Sequence, residues 1–312
     1  MKKRSKILLL FSGGLDSIIA AKILEKAGAK VKGITFSSVF FDAEKALRNA
    51  KKINLKIISK DISQKHLKIV KKPKYGWGKN LNPCIDCHAL MLKEAQKTAQ
   101  KNSFDGLATG EVLGQRPFSQ NLQALKIIEK QTGLENEILR PLSAKVLEKT
   151  VLEKKGSIER EKLLNIVGRS RKIQLQLARK FKITDYPTPS GGCILTDPEF
   201  SKKAKKLLKI NPKAQIKDFT LIKQGRLFSK NKSLIIVGRN QQENKTIENQ
   251  AIKDDILLEL KIIPGPLALI RTFQKTPTDE KRKIIEYCKQ KILTYSPKAK
   301  GKNRFEFQQE NM

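Results

Sequence analysis

Residues 12–17 read Ser-Gly-Gly-Leu-Asp-Ser, between the apolar run Ile7–Phe11 and an amphipathic stretch that opens at Asp16. Two adjacent glycines let a backbone turn tightly and approach a ligand with no Cβ in the way. The free N–H groups at the start of the following helix then face an anion. Ser12 and Ser17 add hydroxyl donors, and Asp16 is able to hold a phosphate-bound Mg2+. The expected chemistry is phosphate binding at a strand-to-helix turn. No Gly-Lys-Ser/Thr ending follows, which excludes a Walker loop.

Thiols form the second group. Asn82-Pro83-Cys84-Ile85-Asp86-Cys87-His88 sets two cysteines three residues apart behind a rigid proline, and Cys193 closes the segment Tyr186-Pro187-Thr188-Pro189-Ser190-Gly191-Gly192-Cys193. Three chemistries are open to them. A zinc ion would take Cys84, Cys87, His88 and Cys193. An iron–sulfur cluster would take the three cysteines and leave one iron open. A catalytic pair would carry a persulfide on one cysteine and resolve it as a disulfide with another. Cys288 lies on a predicted apolar helix face with Ile284, Ile285 and Ile292 and reads as core. His66, in a lysine-rich helical stretch, reads as solvated, and His88 as a helix-start residue without chemistry.

Alternating strand and helix signals must position these groups. Strands are expected at Ile7–Phe11, Val31–Phe36, Leu55–Ser59 and Gly106–Thr109. Helices are expected at Asp16–Ala27, closed by Gly28, and at 42–53, 89–101, 122–131 and 159–181. Residues 71–83, with Pro73, Gly76, Trp77, Gly78 and Pro83, read as a loop. This is the rhythm of an α/β fold, a parallel sheet whose ligands sit at the carboxyl ends of its strands. After about Lys209 the pattern changes to strands at Phe219–Phe228, Lys232–Val237 and Ile256–Ile263, then a helix opened by Thr276 and Pro277. The expected organisation is a domain over 1–205, a second, smaller α+β domain over 210–295, and a loose basic tail over 296–312.

Across 312 residues there are 65 Lys and Arg against 30 Asp and Glu, a formal charge of +35. Such a surplus attracts polyanions, and a nucleic-acid phosphate backbone fits it best. A membrane surface is disfavoured, because no basic helix carries exposed aromatics on its other face. The opening Met-Lys-Lys-Arg and its short apolar run imitate a secretion signal but lack its length and cleavage site. Four unevenly spaced cysteines do not make a disulfide framework. A cytoplasmic location is expected.

The Ser12–Ser17 turn resembles the PP-loop of the ATP pyrophosphatase family, an adenine nucleotide alpha hydrolase-like fold that splits ATP between the α and β phosphates. Thr109-Gly110-Glu111-Val112-Leu113-Gly114-Gln115 with Ser119-Gln120, and Ile138-Leu139-Arg140-Pro141-Leu142, are similar to motifs of the tRNA 4-thiouridine synthetases. Cys193 falls where that family keeps its sulfur-carrying cysteine, while Asn82-Pro83-Cys84-x-x-Cys87 resembles the tRNA 2-thiouridylase motif, with Cys87 in the nucleophile's place. The resemblance covers roughly residues 5–200. It implies an ATP-dependent tRNA sulfurtransferase that adenylates a uridine carbonyl and exchanges its oxygen for sulfur.

On that resemblance Ser12, Gly13, Gly14, Asp16 and Ser17 hold pyrophosphate and Mg2+. Gly33, Thr35 and Phe36 border the adenosine, Thr109 and Gly110 the α-phosphate, and Arg116 and Arg140 supply positive charge. Asp16, Cys87 and Cys193 are the candidate catalytic residues. Sulfur arrives from a cysteine desulfurase as persulfide on Cys193 or Cys87, or as sulfide on a [4Fe–4S] cluster held by Cys84, Cys87 and Cys193; the absence of a visible rhodanese domain favours the cluster. Synthetases of this kind usually carry an RNA-binding THUMP domain ahead of the loop, so RNA capture is expected elsewhere. Val237-Gly238-Arg239-Asn240 with Glu243-Asn244 resembles the NFACT-type RNA-binding signature, and Gly168-Arg169-Ser170-Arg171-Lys172 is a second tRNA-contact candidate. The competing readings are a PP-loop enzyme acting on a small metabolite and a non-catalytic RNA-binding protein with a nucleotide site.

Overall fold

The computed structural model describes residues 4–186, 192–300 and 305–312. The chain divides into two compact units, Met1–Thr196 and Asp197–Met312.

The first unit is built on a parallel sheet. Its strands are β1 (Lys6–Leu10), β2 (Lys30–Ser37), β3 (Ile57–Asp61), β4 (Gly106–Thr109) and β5 (Ile138–Leu139), in the order β3-β2-β1-β4-β5. Successive residues of β1 point to opposite faces, and both faces are apolar. Ile7 and Leu9 enter one core with α1 (Leu15–Lys26), α2 (Glu44–Lys52) and α7 (Lys172–Lys180). Leu8 enters the other with α4 (Cys84–Lys101) and α5 (Leu122–Thr132), while α3 (Ser63–Lys71) lies against α4. A short α6 (Val151–Lys154) completes the unit. The strand order reverses between β1 and β4, the crevice where open sheets of this kind take ligands.

The second unit contains α8 (Pro198–Ile210), α9 (Ile216–Leu221), β6 (Arg226–Lys230), β7 (Ser233–Val237), α10 (Gln241–Asn249), β8 (Ile256–Leu260), β9 (Ala268–Thr272), α11 (Thr278–Thr294) and β10 (Phe307–Asn311). Its sheet is antiparallel, in the order β10-β8-β9-β7-β6. Ile284, Cys288 and Ile292 of α11 pack on Ile235, Val237, Ile256, Leu258 and Ile270. Cys288 is therefore core, as expected, and burial lifts its thiol to about 12.

Four expected elements differ. The helix over 159–181 is confined to α7, because Leu164 and Ile166 donate N–H bonds to Pro141 and Leu142 carbonyls and Gly168 to that of Leu113. The stretch before α7 thus runs alongside neighbouring backbone, and its apolar residues mimic a helical pattern. The strand over 219–228 splits: a capping box of Gln215 and Asp218 starts α9, and the strand begins at Arg226. The helix placed at Ala89 begins at Cys84, where Pro83 accepts the first helical bond from Cys87 N at 2.8 Å. Residues 307–311, expected to be loose, pair with β8 along its whole length.

Candidate functional site: a glycine turn and three thiols at the carboxyl end of the sheet

The Ser12–Ser17 turn leaves β1 and enters α1 with Gly13 at φ +69°. A Cβ on Gly13 would lie 2.7 Å from the Ala46 Cα and from the Lys45 carbonyl oxygen, so only glycine lets the turn rest against α2. Asn49 Nδ2 donates to the Gly13 carbonyl at 2.7 Å and holds it there. Ser17 Oγ donates to the Gly14 carbonyl at 2.8 Å. Gly110, at the end of β4, approaches the first turn of α1 so closely that a Cβ would stand 2.8 Å from Ser17 N. Both glycine contacts fix where the N-terminal amides of α1 point.

The polar atoms around this turn are incompletely satisfied. Gln115 Nε2 donates to Asp16 Oδ2 at 3.0 Å, yet Asp16 Oδ1 and Gln115 Oε1 are both buried without a partner. Buried acceptors normally have donors, so two orphaned oxygens on neighbouring groups mark a place for a cation or water. Positive charge crowds the same place. Burial, and then the charges of Arg116, Arg171 and Arg48, push the Lys45 ammonium below the usual lysine range. Four cations pressed together, with Asp42 only a small counterweight at Lys45, form a seat for an anion.

The thiols lie at the same end of the sheet, because every helix that follows a strand in a parallel sheet starts there. Cys84 and Cys87 occupy the first turn of α4. Cys193 is brought to them by a short segment pinned at three points: Ile194 N to the Phe40 carbonyl at 3.0 Å, Leu81 N to the Leu195 carbonyl at 3.3 Å, and Asn80 Nδ2 to the Thr196 carbonyl at 2.7 Å. The three sulfurs feel one another. Burial, with Cys193 and Cys84 adding to it, raises the Cys87 thiol far above its ordinary value. Burial and Cys84 lift Cys193 to about 11. Burial also raises Cys84, while Arg116 pulls it the other way. Arg116 therefore acts on Lys45 behind the glycine turn and on Cys84 among the thiols. Among the described residues no three His, Cys, Asp or Glu side chains converge as a preformed metal-binding group.

Other expected site residues are placed differently. His88 Nδ1 lies 2.9 Å from Glu111 Oε1, while Glu111 Oε2 accepts from Thr109 Oγ1 at 2.9 Å and from Arg140 Nε at 3.0 Å. Burial alone would raise the Glu111 carboxyl, but Arg140, His88 and Thr109 hold it at about 2. Arg140 also pairs with Glu129, so its charge is spent inside the fold rather than offered to phosphate. Phe36 enters the apolar core with Leu8, Ile34 and Leu92. Gly33 lies mid-strand, where Leu55, Ile57 and Phe11 already occupy the space of a side chain. Thr35 is buried in β2 near its carboxyl end. His66, expected in solvent, is fully buried against Phe40 and Phe41, with Nδ1 2.9 Å from Ser38 Oγ; burial lowers it to about 4. Lys45, Arg48, Asn49 and Gln115 carry the site without having been singled out; only Gln115 lay inside a quoted motif. Pro187 to Gly191, the approach to Cys193, lie outside the described residues.

Topology and turn together define an α/β domain with a glycine turn at the switch point of its parallel sheet. The family model ThiI, a thiamine biosynthesis protein, matches residues 3–155, so this part of the chain is similar to that family. A probable tRNA sulfurtransferase from Finegoldia magna is 32% identical over 146 residues, 44% of this chain and 35% of the relative. One from Methanocaldococcus jannaschii is 32% identical over 155 residues, 45% of this chain and 37% of the relative. The chain thus spans little more than a third of the length of these relatives. Among solved structures, the U34-tRNA thiolase NcsA from Methanococcus maripaludis aligns at 16% identity and a TM-score of 0.35, over 70% of this chain and 71% of that one. No helix among the described residues is long and apolar enough to cross a membrane.

Proposed function

We propose that the chain is an ATP-dependent tRNA sulfurtransferase that forms thiouridine. The observation that carries this reading is Arg116, whose charge reaches both the cation set behind the glycine turn and the Cys84 thiol. Nucleotide activation and sulfur delivery need to meet at one carbon atom, and a shared cation means the two half-sites are neighbours. The names of the relatives that match the first half of the chain support the same chemistry.

A uracil carbonyl oxygen is a poor leaving group. The glycine turn binds the β and γ phosphates of ATP through the first amides of α1, Ser12 and Ser17. The carbonyl oxygen attacks the α-phosphorus, pyrophosphate leaves, and the base carries AMP on that oxygen. A sulfur nucleophile then adds to the same carbon and AMP departs with the oxygen. Lys45, Arg48, Arg116 and Arg171 balance negative charge as it moves to the leaving pyrophosphate. Asp16 Oδ1 and Gln115 Oε1 are hard oxygens that would hold Mg2+, whose charge would offset that of the phosphates. Gly110 sets the distance between β4 and α1, and Glu111 with Arg140 and His88 braces the cysteine helix against β4 rather than touching substrate.

Cys84, Cys87 and Cys193 handle the sulfur. At a value of about 11, Cys193 is ionised in roughly one molecule in ten thousand at neutral pH. Free thiols so placed are weak nucleophiles, and a metal partner would hold them as thiolates. By donor type and number they suit a [4Fe–4S] cluster with one open iron, which would supply a binding point for sulfide. Asp197–Met312 is assigned to RNA capture. The test is ATP–pyrophosphate exchange with and without tRNA, followed by mass spectrometry of the nucleosides. Exchange that needs tRNA, and a thiouridine product, support the proposal. Exchange equally fast without RNA overturns it in favour of a small-metabolite substrate.

A further inference from the structure

The Gly-Arg-Asn turn of the second unit offers little to RNA. Arg239 Nε donates to both carboxylate oxygens of Glu243, at 2.9 and 3.0 Å, and the same carboxylate accepts from the backbone of Arg239 and Gly225. Asn240 Oδ1 caps α10 by accepting from Glu243 N at 2.9 Å. The turn is a structural knot whose charge is neutralised internally.

A different surface of the same unit is open. Strand β6 is an edge of the antiparallel sheet, and Arg226, Phe228 and Lys230 alternate along it on one face. Helix α11 and its C-cap present Tyr287, Lys291 and Tyr295 at four-residue steps, one above another. The two rows interleave. The Arg226 guanidinium lies 4.3 Å from the Tyr295 ring, and the Tyr295 and Phe228 rings are 5.8 Å apart. Lys291 Nζ stands 5.4 Å from Phe228 and 4.9 Å from Tyr287, and Lys230 Nζ stands 5.6 Å from Tyr287. Read along the surface, the order is cation, ring, ring, cation, ring, cation. All three rings are half-buried; Phe228 and Tyr287 pack against the core, and Tyr295 rests on Phe228. Among the described residues none of the three cations is ion-paired, whereas nearby Lys289 is held by Glu286 and Arg282 by Asp279.

We infer that this β6–α11 ladder is a docking surface for single-stranded RNA. Stacking rings joined to unneutralised cations at regular steps match bases joined to phosphates, without sequence preference. A chain with a net charge of +35 draws that polymer in. An acidic peptide would use the cations and leave the rings idle. A bilayer would want exposed apolar side chains between the cations, and these rings are half-covered. The lysines now rest over the rings, and each can swing outward to a phosphate while freeing a ring face for a base. The inference rests on the proposed function for its choice of an RNA partner, and it places capture on the ladder instead of the Gly-Arg-Asn turn.

The experiment is fluorescence anisotropy of a labelled twelve-nucleotide oligouridylate with the full chain, titrated at several salt concentrations. The triple variant R226Q/K230Q/K291Q should flatten the log–log salt slope by about 2, from three lost phosphate contacts. Tyr287→Ala should weaken binding by about fivefold or more, and Tyr287→Phe should restore it, since the ring and not the hydroxyl does the stacking. Wild-type affinity and salt slope in the triple variant overturn the inference. So does loss of binding to phosphatidylserine vesicles with oligouridylate binding intact. If tRNA-dependent exchange is absent while the ladder still binds oligouridylate, the proposed function fails alone. If thiouridine forms while the triple variant binds normally, the ladder fails alone.

Discussion

Two glycine-containing turns in this molecule lead into helices, and they are built on opposite principles. At Gly238–Asn240 the charged groups are paired: Asn240 caps α10, Glu243 holds Arg239 and Gly225, and only the neutral amide oxygen of Asn244 is buried without a donor. At Ser12–Ser17 Asp16 and Gln115 each keep a buried oxygen without a donor, and four cations crowd together with Asp42 only a small counterweight. Motif resemblance drew attention to both turns, more strongly to the first. The difference is in what each leaves undone: a fold satisfies its own charges where they serve only the fold, and a binding site is where a ligand must complete the count.

The largest effects should separate sulfur delivery from activation. Cys193→Ala is expected to abolish thiouridine formation, read by nucleoside mass spectrometry, while tRNA-dependent pyrophosphate exchange continues. Loss of both together would show that the thiols also build the nucleotide site. Asp16→Ala should lower exchange by about a hundred- to a thousandfold, the cost of removing one preorganised electrostatic contact to a reacting phosphate. Gly110→Ala should come next. Its Cβ would collide with Ser17 N and push α1 away from β4, which misplaces the anion-binding amides. A shift of about 1 Å is enough for about a hundredfold loss of exchange. A normal rate in Gly110→Ala would mean the close approach is packing alone.

How far these contrasts were legible in the sequence depends on how local they are. The Ser12–Ser17 turn was legible because its six residues are contiguous and two of them are glycines. The α/β rhythm was legible from the apolar runs that became β1 to β4. The cations of the seat were not, since Lys45 and Arg48 come from α2 and lysines are everywhere in this chain. His66 was misplaced because Phe40 and Phe41, distant in sequence, decide its burial. Arg140 was assigned to phosphate because a motif shows the residue and not its partners, Glu111 and Glu129. Strand β10 escaped notice since Gln308, Gln309 and Glu310 are polar and exposed, as an outer strand allows.

Acid should act on the first unit through the bracing network. Glu111 is held at about 2, below its value in an unfolded chain, so the native state resists protonation more than the unfolded state does. The stabilisation is complete above about pH 4.5 and is lost as pH falls through about 2. Thermal melts between those limits should show the melting temperature dropping, and Glu111→Gln should flatten the drop. That variant also leaves Arg140 short of a partner in the interior, at a cost of about 3–5 kcal/mol. A pH profile identical to that of the wild type would mean another carboxylate sets the acid limit.

The smallest effect belongs to the satisfied turn, and it tests the contrast most sharply. Asn240→Ala removes the side-chain oxygen that accepts from Glu243 N, which should cost about 1 kcal/mol of stability, the usual worth of an N-cap. Denaturant melts would detect a loss of that size. Pyrophosphate exchange and oligouridylate binding should both stay at wild-type levels, because neither the nucleotide nor the RNA surface depends on that cap. A drop in RNA binding larger than the change in stability explains would show that the Gly-Arg-Asn turn reads RNA after all. The two turns would then differ in how tightly they are pre-satisfied, and no longer in whether they bind.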